Sequence, residues 1–367
     1  MLIKIDESII ESAVKDDVTA LHVLQDLATA QFKGYHIIWA KRTVLERLIS
    51  LEKLSDIDRN TYLSILKKYA TSASTYEKIT FYALVSFRES TSRQKDHIVI
   101  NPNEYPDFNF VHASNVLAEN LNDAEFFGYV GEFVLRESNL ADGVKLSYAK
   151  DMGGGDTTAK KYSEYISNAE EFCLTILDGD IKFCGSCMGD TCKKVKRADD
   201  TSPFNCKCYA TQKVREVENL LPSCLYLEDP NYKHVNIVKN KMVFDMSYFD
   251  LKDGLYLYRL WDEEEKKYWQ CIFTAFPSVL DKIQLADDLK KMALNNKDDY
   301  KMVVEREKAL EGFGSSLLEY VLKNKSNEFC CIKETDLSSL QQLAEWREIG
   351  KYMLEWCCSV KVNRINL

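Results

Sequence analysis

The chain has 367 residues, 46% hydrophobic and 29% charged, with only 14 Gly and 6 Pro. That composition excludes a disordered or fibrous chain, and the length exceeds what one hydrophobic core usually serves, so two or three domains are expected. The formal net charge of -9 excludes nucleic-acid binding through a uniformly basic face, although carboxylates clustered on a divalent cation present positive charge once loaded.

The amino-terminal part opens with "LIKI", a short strand, followed by helical periodicity through "ESIIESAV" and "TALHVLQDLATAQ". Residues Tyr35 to Ala40 predict a second strand, "TVLERLISLEKL" and "RNTYLSILKKYA" two amphipathic helices, and His97 to Ile100 a third strand that stops at the breaker "NPNEYPD". This alternation predicts a small α/β domain over residues 1–106.

The middle part is ordered more clearly. Phe110 to Asn120 reads as a strand ending in Glu119, and "DAEFFGYVGEFVLRES" as a helix capped near Asn122 or Asp123. Gly143 to Ala149 is a strand, "KDMGGGDTT" a Gly-rich loop and "AKKYSEYISNA" a helix. Phe172 to Leu177 is a further strand, ending abruptly in Asp178, Gly179 and Asp180. Strand, helix, strand, helix, strand with short loops predicts a parallel sheet, and chemistry in such sheets collects beyond the carboxyl ends of the strands. Glu119, Asp123, Asp178 and Asp180 all fall on that edge. Hard oxygen ligands of this kind suit Mg2+ or Mn2+. Solvated turns and a helix N-terminus that favours acids explain the same residues structurally.

At these residues the chain resembles the Toprim (topoisomerase-primase) fold, and more closely the Toprim domains of the overcoming-lysogenization-defect nucleases and related bacterial anti-phage effectors. The family's first strand ends in a pattern like V-E-G-x-x-D-x-x-F. Here "LAENLNDAEFF" matches it at Glu119 and Asp123, with Asn120 in place of the Gly. The family's D-x-D is matched at Asp178 and Asp180, its Gly-containing stretch by "GGGD", and its E-N motif by Glu218 and Asn219. The resemblance covers residues 110–230. It implies a Toprim-like catalytic domain over 107–235 that cleaves DNA or RNA phosphodiesters, with Glu119 as ligand or general base and Asp178 and Asp180 as ligands. Asp123 and Glu218 would be further metal ligands. Asp6 and Glu46 of the amino-terminal domain are faintly similar to PIN-type ribonuclease domains, whose later acids have no counterpart here.

Within the Cys-rich insertion 181–215, Cys184 and Cys187 followed by Cys206 and Cys208 have the arithmetic of a structural Zn2+ site. Frequent cysteine elsewhere, as at Cys330/Cys331 and Cys357/Cys358, is the plainer explanation. Lys193 and Lys194 are placed to grip substrate phosphates or simply to be solvated. The five histidines share no spacing and read as structural. Residues 236–367 predict a mainly helical domain, with helices over about 276–324 and 338–358 and room for one hairpin between 246 and 273. No segment approaches the roughly 18 apolar residues of a membrane span, and the start "MLIKIDESII" carries acids where a secretory leader is basic and then apolar, so a cytoplasmic protein without a membrane partner is expected. The expected function is a metal-dependent nuclease, an effector of anti-phage defence. The alternative is a non-catalytic Toprim-like interaction or sensor protein working with a partner ATPase.

Overall fold

The computed structural model describes residues 1–293 and 296–361. Positions 294–295, inside the helical stretch expected over 276–324, and 362–367 lie outside the described residues. The chain divides into two compact units. The first comprises residues 1–177, 190–209 and the chain from Arg347 onward; the second comprises 178–189 and 210–346.

Unit 1 is α/β, as expected, and holds two main sheets. In the first, β1 (Leu2–Ile5), β2 (Ile37–Ala40), β3 (Tyr82–Val85), β4 (Ser92–Arg93) and β5 (His97–Ile100) lie in the order β2-β1-β3-β5-β4. All neighbours are parallel except β4, which runs antiparallel to β5. Asp17 caps the helix Val18–Lys33 by accepting the Ala20 amide, and Gly34 at φ 70° ends it in the left-handed conformation that glycine adopts without cost.

In the second sheet, β6 (Ser114–Ala118), β8 (Tyr148–Met152), β9 (Cys173–Leu177) and β10 (Cys206–Ala210) lie in the order β10-β9-β6-β8. Between them β7 (Val144–Leu146) pairs antiparallel with the strand Cys358–Val360. Every residue of β6 and β9 is buried, the pattern of central strands covered on both faces. Strand β10 and the helix Asp190–Asp199 come from the insertion, where weak periodicity had predicted neither.

The two compact units are bounded differently from the expected parts 1–106, 107–235 and 236–367, and the core of unit 1 holds residues from all three. Phe172, 2% exposed, meets Phe108, the ring of His36 and Trp356 at centroid distances of 4.9, 5.8 and 6.3 Å. Trp356 also stacks on Phe81 at 5.7 Å. One aromatic cluster thus draws on all three expected parts.

Unit 2 is mainly short helices. The expected hairpin is absent: β11 (Gly254–Tyr256) pairs antiparallel with the distant β12 (Lys308–Glu311), and the segment between is helical at Glu263–Ile272, Pro277–Met292 and Lys297–Val304. Among the described residues no helix is long and apolar enough to cross a membrane.

Phe172→Ala would leave a cavity in the aromatic cluster, and a loss of about 3–5 kcal/mol is expected, read as a lower urea midpoint with an unchanged slope.

Candidate functional site

Strands β8 and β9 both run parallel to β6, with Ala118 opposite Met152 and Leu117 opposite Thr175, so the three strands end on one edge. Glu119 is the first residue after β6, Gly153 the first after β8 and Asp178 the first after β9. Glu119 is half-buried. Asn120, which replaces the family's Gly, is extended at φ -139°, a conformation that needs no glycine. Its side chain accepts the amides of Asn122 (2.9 Å) and Asp123 (3.1 Å), while Asp123 Oδ2 accepts the Asn120 amide at 3.1 Å. This capping box starts the helix Leu121–Glu137 at Asn120, ahead of the expected Asn122 or Asp123, and gives buried Asp123 a structural task.

The Gly-rich loop folds back on the same edge. Gly153 donates to the Ala118 carbonyl (2.8 Å) and Gly154 to that of Glu119 (3.0 Å), so these two amides hold the end of β6 rather than facing a phosphate. A side chain at Gly153 would collide with Thr158, and Gly154 has φ 74°. Sequence reasoning missed Asp151, the penultimate residue of β8. Its Oδ2 accepts the Tyr165 hydroxyl at 2.7 Å and its Oδ1 pairs with Lys161. Burial works against its charge, but Lys161 and Tyr165 hold its carboxyl below the usual range. The signal was present in sequence: Lys161 and Tyr165, four apart, share one face of the helix Thr158–Asn168.

In unit 2, the turn Asp178-Gly179-Asp180 is fixed by its backbone. The Gly179 amide donates to Thr211 Oγ1 (2.7 Å), and a side chain there would collide with the Thr211 carbonyl, which explains glycine between the acids. The Asp180 amide donates to the Arg215 carbonyl (3.0 Å), in a left-handed conformation of φ 50°. Protein packed around the Asp180 carboxyl, and then the Glu216 carboxylate, raise its pKa; Arg215 and Lys252 oppose the rise.

Behind the turn lies a network of buried charge that sequence reading did not find. Arg215 reaches Glu216 and Asp250, each at 2.8 Å. Arg259, with a side chain 6% exposed, donates Nε–H to Glu265 Oε1 (2.8 Å), and its Nη2 lies 2.5 Å from the same oxygen. Lys252 Nζ sits 3.1 Å from Glu218 and 3.5 Å from Glu216. Burial raises the Glu218 pKa against the pull of Lys252, while Lys252 itself, in spite of burial, is held charged by Glu218, Glu216 and Asp178. Asn219, partner of Glu218 in the E-N motif, donates to the carbonyls of Met246 and Phe249, both at 2.7 Å. Glu218 is thus neutralised by a cation of its own chain.

Cys206 and Cys208 lie buried in β10, where burial first of all pushes both thiols up and away from the thiolate that zinc requires; Cys184 and Cys187 are exposed. Lys193 and Lys194 are exposed on the helix Asp190–Asp199, Lys193 lying 3.2 Å from Asp190. Among the described residues no group of three or more His, Cys, Asp or Glu is placed to hold a metal ion. The carboxylates of Glu119, Asp178 and Asp180 have the donor chemistry that suits a hard dication. Set against known proteins, the chain matches no family model, and no curated protein or solved structure matches it.

Lys252→Met leaves two buried carboxylates without their ammonium, and a loss of about 3 kcal/mol is expected in urea unfolding. The Glu218 pKa lies above its unfolded value, so the stability that its proton contributes is present below the ordinary carboxylate range and is lost as pH rises through the raised value. Glu218→Gln removes that loss: its unfolding free energy relative to wild type should climb across this window, as urea midpoints measured from acid to neutral pH would show.

Proposed function

We propose that the chain is a Mg2+- or Mn2+-dependent nuclease of Toprim type that hydrolyses DNA or RNA phosphodiesters at the carboxyl edge of the β10-β9-β6-β8 sheet. One observation supports this reading: the adjacent parallel strands β6 and β9 are each followed at once by an acid, Glu119 and Asp178, at the edge where α/β sheets collect chemistry. Glu119, Asp178 and Asp180 would hold the cation. When bound, the cation supplies water activation and neutralises charge on the phosphodiester. Lys193 and Lys194 would steer the substrate backbone, and Asp123 and Glu218 support the site without ligating. An effector role in anti-phage defence, in the cytoplasm, follows from the resemblance alone.

A second reading is favoured by Lys252. Because this ammonium already compensates Glu216 and Glu218, the sheet would equally suit a non-catalytic scaffold that recognises a partner such as an ATPase sensor.

Incubating the protein with Mg2+ or Mn2+ and a panel of DNA and RNA substrates separates the two. Glu119→Gln and Asp178→Ala should each lower cleavage at least about hundredfold with circular dichroism unchanged. Full activity in both variants would remove this edge as the active site. A wild type inert on every substrate, with no heat of cation binding, would leave the scaffold reading standing.

A further inference from the structure

At the amino edge of the same sheet, away from the acids, an open cleft of about 330 Å³ is lined by Tyr35, His112, Asn115, Ser147, Tyr148 and Glu171, among others. His112 is the feature that matters. Its side chain is 58% exposed, yet the residue is held at both its ring and its backbone. Its Nδ1 lies 2.6 Å from Glu171 Oε1, and Glu171 Oε2 accepts the Asn115 amide group at 2.7 Å. Behind it, buried His36 donates Nε2–H to the His112 carbonyl at 2.8 Å. Burial first of all keeps His36 neutral. An exposed imidazole on a surface would ordinarily rotate freely; here one carboxylate, itself held by Asn115, fixes the ring, while His36 ties down the backbone of the same residue. Polar support of this order, arranged around a group open to solvent, is the construction of a working site rather than of a core.

The chemistry of the occupant follows from which atoms are spent. A carboxylate only accepts, so Nδ1 of His112 carries the proton toward Glu171, and in the neutral tautomer Nε2 is then the acceptor left for a ligand. Asn115 uses its amide N–H on Glu171, which leaves Oδ1 as an acceptor. The cleft therefore offers two acceptors to a donor-bearing ligand. Glu171 contributes a negative charge that repels phosphate, and Tyr35 and Tyr148 bring aromatic residues to the lining, a composition that suits a planar body. The volume is at the small end of ligand pockets, which run from about 300 Å³.

We infer that this cleft is a ligand site separate from the carboxyl edge, taking an uncharged planar molecule of nucleoside size whose N–H or O–H groups donate to His112 Nε2 and Asn115 Oδ1. The inference does not depend on nuclease activity. Calorimetric titration of the wild-type protein with adenosine, uridine and adenosine monophosphate tests it. At least one nucleoside should bind saturably, with the monophosphate about tenfold weaker or more because its charge meets Glu171. Glu171→Gln, which removes the charge and keeps one of the two acceptors, should close most of the gap between nucleoside and monophosphate, an effect that a purely structural Glu171 would not produce. Absence of saturable binding by either nucleoside to the wild type overturns the proposal, as does a monophosphate that binds as tightly as its nucleoside.

Discussion

The cost of burying charge governs unit 2. Arg259 and Glu265, with side chains 6% and 3% exposed, would each cost several kcal/mol if left alone in the interior. They are tolerated because they pair with each other and because Asp250 links the Arg259 and Arg215 guanidiniums, at 3.7 and 2.8 Å. Arg215 is the hinge of the arrangement: its side chain is held by Glu216 and Asp250, and its carbonyl receives the Asp180 amide. The Arg215 backbone thus ties the buried charge to the Asp178–Asp180 turn, which Thr211 also holds. Burial first of all, and then the Glu216 carboxylate, raise the Asp180 pKa against the pull of Arg215 and Lys252, a perturbation of the kind found where groups are poised for binding or chemistry.

Much of the first unit was legible because its cues are local. The apolar runs ending at Ala118 and Leu177 announced central parallel strands, and the acids just after them announced the edge. What escaped has a common cause in range. Strand β10 was hidden because alternating Cys and Lys in "CKCYA" reads as an irregular, metal-rich segment, whereas the cysteines are simply its buried face. The partners β11 and β12 are three and four residues long and stand far apart in sequence, so no turn signal joins them. The network of Arg215, Asp250, Lys252 and Glu265 was invisible for the same reason. His112 looked solitary because its carboxylate partner lies 59 positions away.

The two edges of the β10-β9-β6-β8 sheet carry different chemistry. One gathers hard oxygen acids, a loop tied down by its glycine amides, and an aspartate clamped by Lys161 and Tyr165. The other presents one oriented imidazole with a single compensating carboxylate. The two edges therefore differ in charge and in the groups they present, carboxylates at one and an imidazole beside one carboxylate at the other.

The path of the chain between the two units has a consequence for biosynthesis. It crosses at 177/178, 189/190, 209/210 and 346/347, and the final strand Cys358–Val360 closes on β7. A ribosome that has delivered the first half has not delivered a finished unit, because the Trp356 ring and that strand emerge only after all of unit 2. Vectorial, one-module-at-a-time maturation is closed to such a topology: the sheets of unit 1 must wait, partly uncovered, for residues made after unit 2, and no single proteolytic cut releases either unit whole.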